Sequence, residues 1–177
     1  MHINLSDEEV SKCKKFAHDV VGTNIDKYRE RNQTDVDKII DDIFVGKLAE
    51  YASFKLLTSR GKNVQEPDTQ IYSVRKKSFS ADLTDGINQY HVKCMKKSTA
   101  ERFGLSWSFQ IEDKLVTRPT DNDVLILCEI DGINVDIKTI IKAQKVTYLY
   151  VKPVLKKLWH IKRVLMWSDV YTHITGN

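Results

Sequence analysis

The sequence has little of what would mark a secreted, low-complexity or membrane-embedded chain. Only 3 of its 177 residues are cysteine, Cys13, Cys94 and Cys128, and they show no C-x-x-C spacing. That argues against a disulfide framework and a thiolate zinc site and fits a reducing compartment. Glycine (7) and proline (3) are sparse, and no internal repeat or biased tract interrupts the chain. No apolar run approaches membrane-spanning length, and Met1-His2-Ile3-Asn4-Leu5-Ser6-Asp7 lacks the basic-then-apolar order of a signal peptide. The expectation is a cytoplasmic protein with no membrane partner. Strong charge of one sign is absent as well. The net charge of +4 and pI near 8.8 allow a polyanionic partner without arguing for one.

What is present is the profile of a globular domain, 41% hydrophobic and 29% charged. Its length suits one domain, residues 1–177, with a core at about 35–130, a helix over 6–31 in front and a basic extension over 146–177 behind. Ser6 with Glu9 forms a capping box, and Leu5 with Val10 a hydrophobic staple, so a first helix starts near Asp7. Thr34 with Asp37 repeats the capping pattern, and a longer helix is expected over Val36 to Ser59, ending before Gly61. At roughly 100° per residue, Ile39, Ile43, Gly46, Glu50, Phe54 and Leu57 fall on one line. A carboxylate on that line needs a cation, a metal, donors or an opening to water, unless the helix end merely projects past the core. Strands are expected at Ile71–Val74, Leu105–Ile111, Val124–Ile130, Ile133–Ile137 and Val146–Val151. Lys96–Gly104 reads as a basic loop or single helical turn, Lys152–Arg163 as a basic, partly helical segment, and Val164–Trp167 as strand or helix.

The chemistry centres on the stretch from Ser80 to Cys94. Asp85-Gly86 is a hairpin signal. In the strand after it, Gln89, His91 and Lys93 project to one side and Tyr90, Val92 and Cys94 to the other, and the second set reads as core. The loop length decides what the first set can do. A loop over Asp85–Asn88 sets Asp82 opposite His91 with Lys93 diagonal to it, whereas a two-residue loop leaves Lys93 about 13 Å along the strand. An aspartate and a backbone carbonyl suit a hard divalent cation, and a lysine beside them can orient a water and stabilise charge on a phosphate. Taken alone, Asp82 and Lys93 also read as a plain cross-strand ion pair, and His91 as a half-buried strand histidine.

The helix bearing Glu50, the strand bearing Asp82, the hairpin and the x-Val92-Lys93 strand resemble the PD-(D/E)xK nuclease superfamily, over roughly Asp35 to Ile130. The resemblance implies an α/β fold with a restriction-endonuclease-like core, a central mixed β-sheet flanked by helices. It also implies a restriction-type or mobile-element endonuclease that hydrolyses DNA with Mg2+, or with Mn2+ in its place. By position Asp82, Glu50 and the carbonyl of Val92 match the metal ligands and Lys93 the catalytic lysine. The sequence departs from the pattern at Ala81, where the name-giving proline would stand, and at His91, where an acid is expected. His91 either carries protons or marks a site that has lost catalysis and kept nucleic-acid binding. Lys76, Lys77, Lys96, Lys97, Ser98 and Arg102 crowd both ends of the hairpin, where they would meet DNA phosphates. Enzymes of the restriction type often pair to cut two strands, so the resemblance also implies a homodimer.

Overall fold

A computed structural model describes residues 1–30, 34–71 and 81–176, with the side chains of residues 24–30 left aside. It is a mixed α/β structure. After a short strand β1 (His2–Ile3) come two long helices, α1 (Asp7–Glu30) and α2 (Val36–Ser59). The first starts as the capping box requires: the Ser6 N–H donates to Glu9 Oε2 (2.7 Å) and the Glu9 N–H to Ser6 Oγ (3.2 Å). The second is capped one residue later than expected. Asp35, not Thr34, accepts the Lys38 N–H (3.0 Å), a carboxylate at the helix N-terminus having both the reach and the favourable charge. Gly61, at φ +75°, takes the left-handed position that ends the helix.

The strands β2 (Leu83–Thr84), β3 (Gln89–Lys96), β5 (Asp123–Asp131) and β6 (Asn134–Lys142) join β1 in a five-stranded sheet of order β1-β6-β5-β3-β2. Only β3 and β5 run parallel; the other neighbours are antiparallel. Between them the chain makes helix α3 (Lys97–Phe103), strand β4 (Ser106–Gln110) and a one-turn helix α4 (Lys114–Thr117). β4 pairs with β7 (Lys162–Met166) as a separate two-stranded ribbon, and α5 (Trp167–Thr175) follows.

Both faces of the large sheet are covered, which is why β5 reads as a continuous apolar run. On one face α1 and α2 bury Cys13, Leu48 and Ala52 against Tyr90, Ile126 and Cys128. On the other, Trp107 and Phe109 of β4 pack with Leu165 and Val170 against Leu125 and Leu127. Where the β5–β6 register slips between Leu127 and Cys128, the Trp107 indole donates to the Cys128 carbonyl (2.8 Å). Among the described residues no helix is long and apolar enough to cross a membrane.

Two sequence expectations fail here. Val146–Val151 is not a strand: Ala143–Leu149 is a 3₁₀ helix that buries Ala143 and Val146 in the second core, and Val151 makes a single bridge, to Val164. β-Branched and aromatic residues favour strands only when a sheet receives them. Lys97–Phe103 is a full helix rather than a single turn. The expected strand Ile71–Val74 lies largely outside the described residues.

Candidate active site

The hairpin takes its longer loop because the loop's own side chains bind it that way. Asp85 Oδ1 accepts the N–H groups of Ile87 (3.1 Å) and Asn88 (2.7 Å), and Oδ2 accepts the Tyr90 hydroxyl (2.7 Å). Thr84 Oγ1 accepts the Gly86 N–H (3.0 Å) and donates to the Asn88 carbonyl (3.0 Å). The Asn88 N–H in particular holds the Asp85 carboxyl well below the usual carboxylate range, against the opposing effect of burial. Gly86 turns the chain at φ +85°, a conformation that suits glycine. The consequence is a register pairing Leu83 with Tyr90 and Thr84 with Gln89. Asp82 lies just beyond the paired residues, where this register continued by one step would set it opposite His91. There the ladder ends, and the Val92 N–H donates to Asp82 Oδ2 (2.8 Å).

Glu50 lies in the middle of α2, not at a projecting end, and it has found a cation. Lys47, one turn earlier, donates to Glu50 Oε2 (2.5 Å) and to the Asp68 carbonyl (2.9 Å), and its ammonium lies 4.5 Å from the Phe16 ring centroid. The pair is nearly enclosed, with side chains 8% and 18% exposed. Burial pushes the Glu50 carboxyl up to about 7; Lys47 opposes the shift, and the carboxylates of Asp82 and Asp68 add to it. Asp82 and Asp68 also line a cleft of about 370 Å³ with Glu66, Thr84 and Gln89. Lys47 escaped the sequence reading, although its i,i+3 spacing from Glu50 was available.

β3 separates the remaining candidates. Val92 and Cys94 pack toward the helices, and Met95 packs on the other core. By the same alternation Lys93 leaves the face turned away from α2, where its ammonium lies 5.4 Å from the Phe109 ring centroid. It is half-buried and has no carboxylate partner among the described residues. Glu50 and Lys93 therefore belong to opposite faces, and Asp82 stands at the sheet edge between them.

His91 does not join the polar face expected of it. It is 7% exposed, and its Nε2 lies 2.9 Å from Oδ1 of Asp123, itself 1% exposed. Asp123 Oδ2 accepts the Thr120 N–H (2.7 Å) and hydroxyl (2.8 Å). Burial alone would raise the Asp123 carboxyl, but the Thr120 N–H, His91 and the Thr120 hydroxyl, with Lys114 at 3.8 Å, outweigh it and bring the carboxyl to about 2. Asp123 thus fixes the orientation of the His91 ring within the second core rather than on an open polar face. Val92, expected to lend a carbonyl, meets Asp82 through its N–H.

The basic residues divide similarly. Lys96 is engaged by Asp41 and, at 3.5 Å, by Asp42, and Lys97 by Asp131 (2.8 Å). Ser98 and Arg102 are exposed on α3, Arg102 resting over Phe103. Lys76 and Lys77 lie outside the described residues. Cys13, Cys94 and Cys128 are free thiols, and burial pushes Cys13 and Cys94 up to about 12 and Cys128 in the same direction, so none is an activated nucleophile.

In comparisons with known proteins, no family model, no curated protein and no solved structure matches this chain. Among the described residues no group of three or more His, Cys, Asp or Glu side chains is placed to hold a metal ion. The donors at hand are the carboxylates of Asp82 and Glu50, each with one oxygen already engaged by the Val92 N–H or by Lys47. That set does not make a closed cage. It fits the open mode in which magnesium takes one or two carboxylates and completes its shell with water and substrate phosphate.

Proposed function

We propose that the chain is a metal-dependent endonuclease acting on DNA, built on a restriction-endonuclease-like core. The hairpin register carries this reading: Thr84 opposite Gln89 brings Asp82 onto the Val92 N–H beside Lys93. Glu50 supports it, because a carboxyl raised to about 7 by burial and by neighbouring carboxylates is eased by a divalent cation. Asp82 and Glu50 would hold the ion, magnesium or manganese in its place. Once bound, such an ion supplies a more acidic water and charge stabilisation at a phosphate. Lys93, with no carboxylate partner among the described residues, keeps its ammonium for phosphate charge, which an ion-paired lysine could not do. His91, committed to Asp123, has no part in this scheme.

One observation favours a second reading. The family's second acid is replaced by His91, and His91 is committed to Asp123, so the chain also reads as a nucleic-acid-binding module of the same fold without catalysis. Incubating supercoiled plasmid with the purified protein and Mg2+ or Mn2+ separates the two. The endonuclease converts the plasmid to nicked and linear forms, and Lys93→Ala does not. Intact plasmid under both ions leaves only the binding module.

A further inference from the structure

The positive charge is unevenly placed. From Ile137 to Ser168 the chain has eight lysines and arginines and no aspartate or glutamate, so this stretch carries +8 and the rest carries −4 of the net +4. Elsewhere many cations are neutralised locally, as Lys96 and Lys97 are at the hairpin and Lys138 is by Glu129 (2.8 Å) and Asp136 (2.7 Å). Between Val151 and Leu158 this stops. Lys152, Lys156 and Lys157 are exposed, and among the described residues none has a carboxylate partner. Among the described residues the Arg163 guanidinium donates to the carbonyls of Trp159 (3.0 Å) and Lys162 (2.9 Å), which leaves its charge intact.

This segment is a built loop. Val151 and Val164 close its base with reciprocal N–H to carbonyl bonds of 3.0 and 2.9 Å. The Trp159 indole donates to the Pro153 carbonyl (2.8 Å), and the Lys152 ammonium lies 4.9 Å from the Trp159 ring centroid. The Ile111 N–H ties the loop to the body through the Ile161 carbonyl (3.1 Å). A loop held in this way gives up little conformational entropy when it binds. Its Val154 and Leu155 line a cleft of about 450 Å³ whose lining includes Thr99 and Phe103 of α3, and the arm's outer surface carries the three lysines beside exposed Val151, Val154 and Ile161.

We propose that residues 151–163 form a preorganised arm that grips duplex DNA by its phosphate backbone, in place of the hairpin residues Lys96 and Lys97. The inference rests on reading the chain as a protein that acts on DNA, and it names the surface that supplies affinity. Unpaired lysines release counterions from the duplex when they bind, whereas a lysine already neutralised by an aspartate must first give up that partner. Such contacts position the duplex and do not read its sequence. A membrane surface fits less well: surface-binding segments are amphipathic helices with one continuous apolar face, and the helical part of this arm is one short 3₁₀ turn, Lys156–Leu158.

The test is fluorescence anisotropy of a labelled duplex of about 20 base pairs in EDTA, so that nothing is cut, titrated between about 50 and 200 mM salt. Lys152→Ala/Lys156→Ala/Lys157→Ala should lose tenfold or more in affinity and flatten the plot of log K against log salt by about 2 to 3, near 0.9 per lost phosphate contact. Lys97→Ala should stay within twofold of the parent. The arm is overturned if the triple variant keeps the parent's affinity and salt slope, if the parent fails to bind the duplex, or if it binds phosphatidylserine vesicles in preference. Plasmid cleavage, scored separately, tells the two ideas apart. Binding through the arm without cutting sinks the endonuclease and keeps the arm, and cutting with a triple variant that behaves as the parent does the reverse.

Discussion

Two buried acids flank β3, Asp123 on the side of Trp107 and Glu50 on the side of α1, and their surroundings differ in kind. Asp123 has the Thr120 N–H, the Thr120 hydroxyl and His91 at 2.7 to 2.9 Å, and its carboxyl falls to about 2. Glu50 has one cation at 2.5 Å and the charges of Asp82 and Asp68 nearby, and its carboxyl rises to about 7. Burial is common to both, so burial does not tell a structural acid from a candidate functional one. The supply of donors does. A carboxylate with enough donors is a fixed part of the fold, and one with too few retains an appetite for positive charge.

The sharpest break in this comparison comes from truncating an acid on each side. Asp82→Ala should lower plasmid cleavage on the order of a thousandfold, the scale for removing a group that stabilises the transition state. It should cost only about 1 kcal/mol of stability, the worth of one hydrogen bond to Val92. Asp123→Ala should do the opposite in kind. It strands both Thr120 donors and His91 and should destabilise by about 3 kcal/mol, read as a lower urea midpoint at an unchanged slope. If Asp82→Ala unfolds the protein while Asp123→Ala keeps it folded, the two sides have been assigned the wrong way round.

The difference between the sides was only half legible in the sequence. The capping box at Ser6, the extent of α2 and the alternation of Trp107 and Phe109 could all be read, because each is set within a few residues by hydrogen bonding or by periodicity. The Asp85-Gly86 turn could be read too, but its loop length stayed open between two residues and four. The fate of His91 could not be. Its partner Asp123 is 32 positions away and reaches it only because β3 and β5 pair in parallel, with Gln89 beside Asp123. Alternation correctly put His91 on the opposite face from Tyr90, but that face is polar only if nothing covers it, and the β4–β7 ribbon covers it. The Val146–Val151 error has the same origin, a local strand pattern overruled by distant packing. The pairing of Lys96 and Lys97 with Asp41 and Asp131 was equally remote in sequence.

The comparison also predicts opposite responses to pH. For Glu50 the folded state holds its proton up to about 7 and the unfolded state only to 4.5. The folded protein binds more protons in that window, so stability falls as pH rises from about 4.5 to 7, by on the order of 3 kcal/mol. Glu50→Gln should flatten that slope in urea titrations whatever its effect on absolute stability, and an unchanged slope would mean that the carboxyl is not held protonated by burial.

Asp123 should act at the other end of the scale and more weakly. Its carboxyl drops from 3.8 unfolded to about 2 folded, so its contribution is fully present above about 4 and is lost as pH falls through 3.8 toward 2. The loss should amount to about 2 kcal/mol. Asp123→Asn carries no such titration, so its stability deficit against the parent, measured at pH 5 and again near pH 2, should shrink by about that amount. A deficit that stays constant over the interval would mean that the Thr120 and His91 bonds favour the neutral carboxyl as much as the charged one. The contrast between a satisfied acid and an unsatisfied one would then not hold.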